Sequence, residues 1–133
     1  MANTVKVGKR PATFKPFPVK FELPDGGEGV INVTYKYRTK TEFGAFLDQL
    51  IASRQPAAEA PVTEPKEPFS WEKFYRENAE ASADHLIDSI AEWDLEDKLS
   101  RSVLLQLGDE CPACIAALMA AYGNACRDGR LGN

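Results

Sequence analysis

Cys111-Pro112-Ala113-Cys114 is the set of residues in this chain whose types and spacing most suggest chemistry. Two thiols three positions apart at the start of a predicted helix meet unpaired N–H groups and the positive end of the helix dipole, which favour a thiolate and disulfide exchange. A thioredoxin-like site follows a strand of a mixed sheet near the start of its domain, whereas this one lies in a helical stretch near residue 133. The pattern therefore points to small apolar side chains packed between helices. A zinc reading would add Cys126 and His85, the one histidine, giving three sulfurs and a nitrogen. Cys114 and Cys126 lie ~18 Å apart along a continuous helix, so one ion reaches both only if that helix breaks near Gly123.

Other reactive groupings are sparse. Asp94 with Asp97, or Asp84 with Asp88, have carboxylates near enough for acid–base work, but solvated acidic faces are the commoner use of such pairs. No glycine-rich phosphate loop follows a strand and opens a helix, and no Ser/His/Asp or Cys/His signature is present. With a single histidine, most nucleophile and general-base schemes lose their usual partner. The expectation is a binding protein without a cofactor, not an enzyme.

The elements that would position these groups fall into two unlike halves. Residues 1–40 carry 8 Lys or Arg and 3 Asp or Glu, a net of +5, and residues 41–133 carry 8 and 17, a net of −9, which together make the chain's −4. Phe17 to Leu23 alternates, with Phe17, Val19, Phe21 and Leu23 on one face. Val30 to Arg38 does the same, with Ile31, Val33, Tyr35 and Tyr37 opposite Asn32, Thr34, Lys36 and Arg38. Pro24 to Gly29 supplies a flexible tip, so the two runs predict an antiparallel hairpin. Thr4 to Lys9 would add a third strand, since a lone hairpin is marginal in water. The basic side chains Lys20, Lys36, Arg38 and Lys40 beside Tyr35 and Tyr37 could track a nucleic-acid backbone, as in a small nucleic-acid-binding or regulatory adaptor. The tyrosines share the face of Ile31 and Val33, however, which makes them core candidates, and the pI of about 5.1 argues against that use.

Thr39 and Glu42 have capping-box spacing, and the helix they open carries Phe43, Phe46, Leu47, Leu50 and Ile51 as a stripe to pack on the hairpin's apolar face. Arg54 to Pro68, rich in Pro, Ala and Glu, reads as an extended linker. Ser70 is an N-cap candidate for a helix with Trp71, Phe74 and Tyr75, and Leu86, Ile87, Ile90 and Trp93 continue at near-helical spacing, as one helix or two. Leu99, Val103, Leu104 and Leu107 mark a short helix that Gly108 would end in the left-handed conformation. Pro112 then opens a last helix with Ile115, Leu118, Met119 and Tyr122 on its buried face. The fold class is α+β: an N-terminal hairpin or small sheet with a packed helix (1–53), a linker (54–69) and a small helical bundle (70–133). No apolar run reaches the ~20 residues of a membrane span, and the start lacks a secretory h-region. Cytoplasmic residence, with three reduced cysteines, follows as the expectation.

Trp93-Asp94-Leu95, the leucine helix around Val103-Leu104-Leu105, Pro112, Ala120-Ala121-Tyr122 and the closing Arg130-Leu131-Gly132-Asn133 together resemble the tail assembly chaperones of long-tailed bacteriophages. The hairpin that runs into Tyr37-Arg38-Thr39 and an amphipathic helix is similar to that family as well. The resemblance implies a nonenzymatic assembly factor of the host cytoplasm, absent from the finished virion. It would coat the tape measure protein and keep it soluble while tail tube subunits polymerise around it, with the tube protein recruited by a longer frameshifted form. The family offers no role for the Cys-Pro-Ala-Cys turn or the long linker. Candidate partner-binding residues are Trp71, Phe74, Trp93, Leu95, Leu99 and Leu104. These side chains are equally suited to making the core of the helical half, and self-association is a further expectation.

Overall fold

The two alternating runs are strands β1 (Phe17–Glu22) and β2 (Glu28–Tyr35) in the computed structural model of the chain, which describes residues 7–54 and 68–130. They pair antiparallel with Phe17 opposite Val33, Val19 opposite Ile31 and Phe21 opposite Gly29. The two-residue period holds through the middle of the hairpin, where Val19, Ile31 and Val33 are buried while Lys20 and Asn32 face water, and fails at its ends: Leu23 is exposed, and Thr34, expected on the solvent face, is buried where the β2–β3 register shifts. At the tip, Gly26 takes φ +93°, where an L side chain is strained. Asp25 Oδ1 accepts the Gly27 N–H at 2.9 Å, and the Leu23 N–H donates to the Gly27 carbonyl at 2.7 Å. Gly29 serves packing instead. A Cβ there would stand 2.7 Å from the Phe21 ring, so only glycine lets that ring lie over the partner strand.

The third strand does not come from the N-terminus. Thr4 to Lys6 lie outside the described residues, and Val7 to Lys9 form no strand. Instead Ile90–Trp93 is strand β3, antiparallel to β2, so the sheet order is β1-β2-β3. The sequence places Ile90 and Trp93 at helical spacing after Leu86 and Ile87, but the helix stops at Ile87. Ser89 turns the chain there: its hydroxyl donates to the His85 carbonyl at 2.7 Å, and its carbonyl accepts the Lys36 N–H at 2.8 Å. Asp94 then fastens the new strand by accepting from the Asn32 backbone at 2.9 Å and the Asn32 amide at 2.7 Å. Those two hydrogen bonds hold its carboxyl below the usual carboxylate range.

Four helices complete the fold: α1 (Lys40–Arg54), α2 (Trp71–Ile87), α3 (Arg101–Glu110) and α4 (Pro112–Asp128). The capping box forms at α1, with Thr39 N–H to Glu42 Oε1 at 2.9 Å and Glu42 N–H to Thr39 Oγ1 at 3.1 Å. Ser70 and Ser100 cap α2 and α3 by accepting from the Lys73 and Val103 N–H groups. Gly108 does not end α3. It stays helical, and a Cβ there would sit 3.2 Å from Ile115, so the glycine allows α4 to approach closely. The break falls at Cys111 (φ −144°, ψ 76°), because a residue before proline avoids the helical region and Pro112 is pre-set for the first turn of α4.

Side chains from both sides of the 55–67 segment, which itself lies outside the described residues, share one hydrophobic core. α4 covers β1 and also packs on α3, α2 and α1. Tyr35 and Tyr122 stand with ring centroids 4.9 Å apart, and the Tyr35 hydroxyl donates to the Leu118 carbonyl at 2.6 Å. The α1 stripe was expected on the hairpin, but Phe43 and Phe46 pack on His85 and Tyr122, from α2 and α4. The stripe also ends early, since Ile51 is 57% exposed.

Arg38 departs from the alternation that would put it in solvent. Its guanidinium donates to Tyr122 Oη at 2.7 Å, Ser89 Oγ at 3.1 Å and the Asp88 carbonyl at 2.9 Å, and it lies 3.8 Å from the Phe46 ring centroid. A planar fork suits three acceptors and an aromatic face at once. Arg38 thereby ties the β2–α1 connection to the C-terminal end of α2 and to α4.

Candidate partner-binding surface

The six candidate contact residues separate into three groups. Leu104 is 1% exposed and belongs to the core, so a direct surface contact by its side chain is replaced by a packing role. The helical stripe Leu99, Val103, Leu104, Leu107 points it inward between α2 and α4. Trp93, Leu95 and Leu99 are half-buried against that core. Trp93 sits on β3 opposite Val33, and its indole N–H donates to the Asp97 carbonyl at 2.9 Å, which shapes the loop into α3. Trp71 and Phe74 stand out in water.

Why those two are exposed follows from α2. Every residue from Trp71 to Asn78 is exposed, and burial begins only with Ala83, His85 and Leu86. The first two turns overhang the core. Phe69, just before the Ser70 cap, and Phe74, four residues into the helix, occupy hydrophobic-staple positions with ring centroids 6.0 Å apart. Trp71 stacks on Tyr75 at 5.6 Å and meets Phe69 edge-on at 4.9 Å. The cluster is thus internally ordered, yet its members remain 67% (Phe69), 62% (Trp71), 43% (Phe74) and 62% (Tyr75) exposed. Contiguous apolar surface of this kind on a folded chain is a candidate contact surface for another molecule. Phe69 and Tyr75 join the candidate surface beside Trp71 and Phe74. Their signal is in the sequence: Trp71, Phe74 and Tyr75 fall at i, i+3 and i+4, with Phe69 completing a staple beside a proline-rich stretch.

Tyr75 also lines a cleft of ≈ 470 Å³ between α2, α3 and α4, whose floor includes Leu104 and Ile115. The face is therefore continuous from the aromatic cluster into the helical half.

The chemical alternatives fare differently. Cys111, Cys114 and Cys126 are buried free thiols. The helix-start position that would lower a thiol pKa is outweighed by burial, which pushes Cys114 up to about 12 and also raises Cys126. α4 runs unbroken past Gly123, and no group of three His, Cys, Asp or Glu side chains among the described residues is placed to hold a metal ion. His85 lies within the core beside the Phe43, Phe46 and Tyr122 rings. Burial lowers its pKa, and its Nδ1 has no hydrogen-bond partner within the described residues. Of the acidic pairs, Asp84 accepts from Arg101 at 2.7 Å and Asp94 is occupied by Asn32. In the basic hairpin, Tyr35 is buried and Arg38 is turned inward, while Lys20, Lys36 and Lys40 remain exposed.

The thiols give a direct check. Ellman's reagent at mildly alkaline pH should label all three at least ~100-fold more slowly in the folded protein than in guanidinium, since attack needs an exposed thiolate. One thiol reacting at the unfolded rate would show a reactive site in the Cys-Pro-Ala-Cys turn.

Comparison with protein-family models gives a match over residues 1–133 to the phage tail assembly chaperone model. The chain belongs to the phage tail assembly chaperone family. No curated protein and no solved structure matches it. No single helix of the chaperone, among the described residues, is long and apolar enough to cross a membrane. In this chaperone the overhanging aromatic turns of α2 are the part of the candidate surface that stands clear of the core. Its Trp93, Leu95 and Leu99 can contribute only the edges that packing leaves open.

Proposed function

We propose that this chaperone binds the tape measure protein, keeps it soluble and promotes polymerisation of the tail tube around it, without catalysing a reaction. The observation that carries the reading is the exposed aromatic cluster Phe69, Trp71, Phe74 and Tyr75 on a chain of this family. A tape measure is a long helical chain with apolar stripes that would aggregate if left bare, and an exposed aromatic face is suited to covering such a stripe reversibly. The net charge of −9 over residues 41–133 keeps the chaperone itself soluble and speeds encounter with basic segments. In this reading the protein works in the host cytoplasm and leaves before the virion is complete. Tail tube subunits are brought by a longer frameshifted form that shares these residues.

The test is co-expression with the cognate tape measure protein. Soluble tape measure only when the chaperone is present supports the reading. An equally insoluble tape measure with and without it removes the reading.

A further inference from the structure

We propose that the cleft between α2, α3 and α4 is a docking groove for an amphipathic helix whose apolar stripe is flanked by lysine or arginine. This rests on the chaperone reading and specifies the chemistry of the segment that is covered. The groove is built as two rails. α2 offers Tyr75, Asn78, Ala79 and Ser82, and α4 offers Pro112, Ile115, Ala116 and Met119, each set at i, i+3, i+4 and i+7. Each rail therefore runs about two helical turns, ~10 Å. α3 joins the rails below through Leu104 and Gly108. Four of the lining residues, Ala79, Ser82, Gly108 and Ala116, are small, which allows another backbone to come close, and Tyr75 of the exposed cluster stands at one end of the α2 rail.

Charge decides the occupant. The adjoining surface shares Tyr75, Ala79 and Asp109 with the groove and adds Glu72 and Glu80. Arg76 is the one cation among the residues lining it, and its ion pair with Glu72 at 2.5 Å offsets both charges, so the net negative charge of the rim comes from Glu80 and Asp109. A second copy of this chain would bring the same acidic rim and meet like charge, whereas a helix with basic flanks meets opposite charge on the side where its stripe enters. Anchors at i, i+3 or i+4, and i+7 of the incoming helix would match the length of the rails.

The experiment uses the full chain and two synthetic helical peptides of about 20 residues, long enough to hold helix. Both carry the same leucine stripe, one flanked by lysine and one by glutamate, and binding is followed by calorimetry and by the fluorescence of Trp71 in a Trp93→Phe background. The Lys-flanked peptide should bind at least ~10-fold more tightly than the Glu-flanked one. Ala116→Arg, at an exposed position in the slot, should weaken it ~10-fold with an unchanged circular dichroism spectrum. Asp109→Lys should narrow the preference between the two peptides. Equal binding of both peptides, binding indifferent to Ala116→Arg, or dimerisation that excludes the peptides would each overturn the groove assignment. Rescue of the tape measure protein by Ala116→Arg at wild-type level would also overturn it while leaving the chaperone reading intact. Tight binding of the Lys-flanked peptide by a protein that fails to rescue the tape measure would support the groove and remove the chaperone reading.

Discussion

Replacing Trp71 and Phe74 with alanine should leave the fold standing and abolish the proposed chaperone activity. Both side chains sit on turns of α2 that overhang the core, 62% and 43% exposed, so truncation forms no cavity. Its cost is confined to a few ring contacts within the staple, within about 1 kcal/mol. At an interface the same residues behave as aromatic anchors, where truncation costs about 2 kcal/mol or more, a loss of roughly 30-fold in affinity. The contrast is Leu104→Ala. That side chain is 1% exposed under the groove, and its removal should cost 2–5 kcal/mol, on the order of other buried leucine truncations. Thermal melts and tape measure solubility measured on the same three proteins separate the roles. Wild-type stability with lost rescue marks Trp71 and Phe74 as contacts. A large drop in midpoint for the double variant would make them structural instead.

Arg38→Ala should lower the stability of the free protein by about 2–3 kcal/mol, in line with the loss of charge-assisted hydrogen bonds. Three bonds and a ring contact vanish together, but Tyr122 still donates to the Lys36 carbonyl at 3.0 Å and Ser89 to the His85 carbonyl. The hydroxyls are therefore only half deprived, which keeps the sum well below three full bonds. The thermal midpoint should fall by about 10 °C. Arg38→Lys should recover less than half of this, because an ammonium cannot fork to Tyr122, Ser89 and Asp88 while covering the Phe46 ring. A change below ~0.5 kcal/mol on Arg38→Ala would mean that the clasp is not holding the α2–β3 turn.

What could be read from the residues alone was local. The hairpin, the Thr39–Glu42 box, the Ser70 cap and Pro112 at the start of α4 each depend on neighbours within a few positions, and each stands in the structure. The exceptions depend on distant partners. Ile90–Trp93 keeps a helical spacing that one extra turn of α2 would satisfy, and it becomes a strand because β2 has an open edge and Asn32 a pair of donors for Asp94. Gly108 reads as a helix terminator until Ile115 of the following helix is brought against it. Arg38 alternates outward in the strand pattern, but β2 ends at Tyr35, and the acceptors that draw the guanidinium inward lie 50 to 84 residues away in sequence.

The candidate surface is legible in part for the same reason. An aromatic run at helical spacing signals an apolar face, but whether that face is inside or outside depends on where the core ends. The core ends at Ala83 on α2, two turns beyond Tyr75. Trp71 and Phe74 thus became surface, Leu104 became floor, and the groove between the two appeared only when α2 and α4 were placed on α3.

The most direct measurement is size-exclusion chromatography with light scattering on the chaperone co-expressed with its tape measure protein. The expected result is a soluble complex with many copies of the chaperone per tape measure, lost with the Trp71→Ala, Phe74→Ala double variant. Free chaperone eluting apart from an aggregated tape measure would contradict it, as would an undiminished complex formed by that double variant.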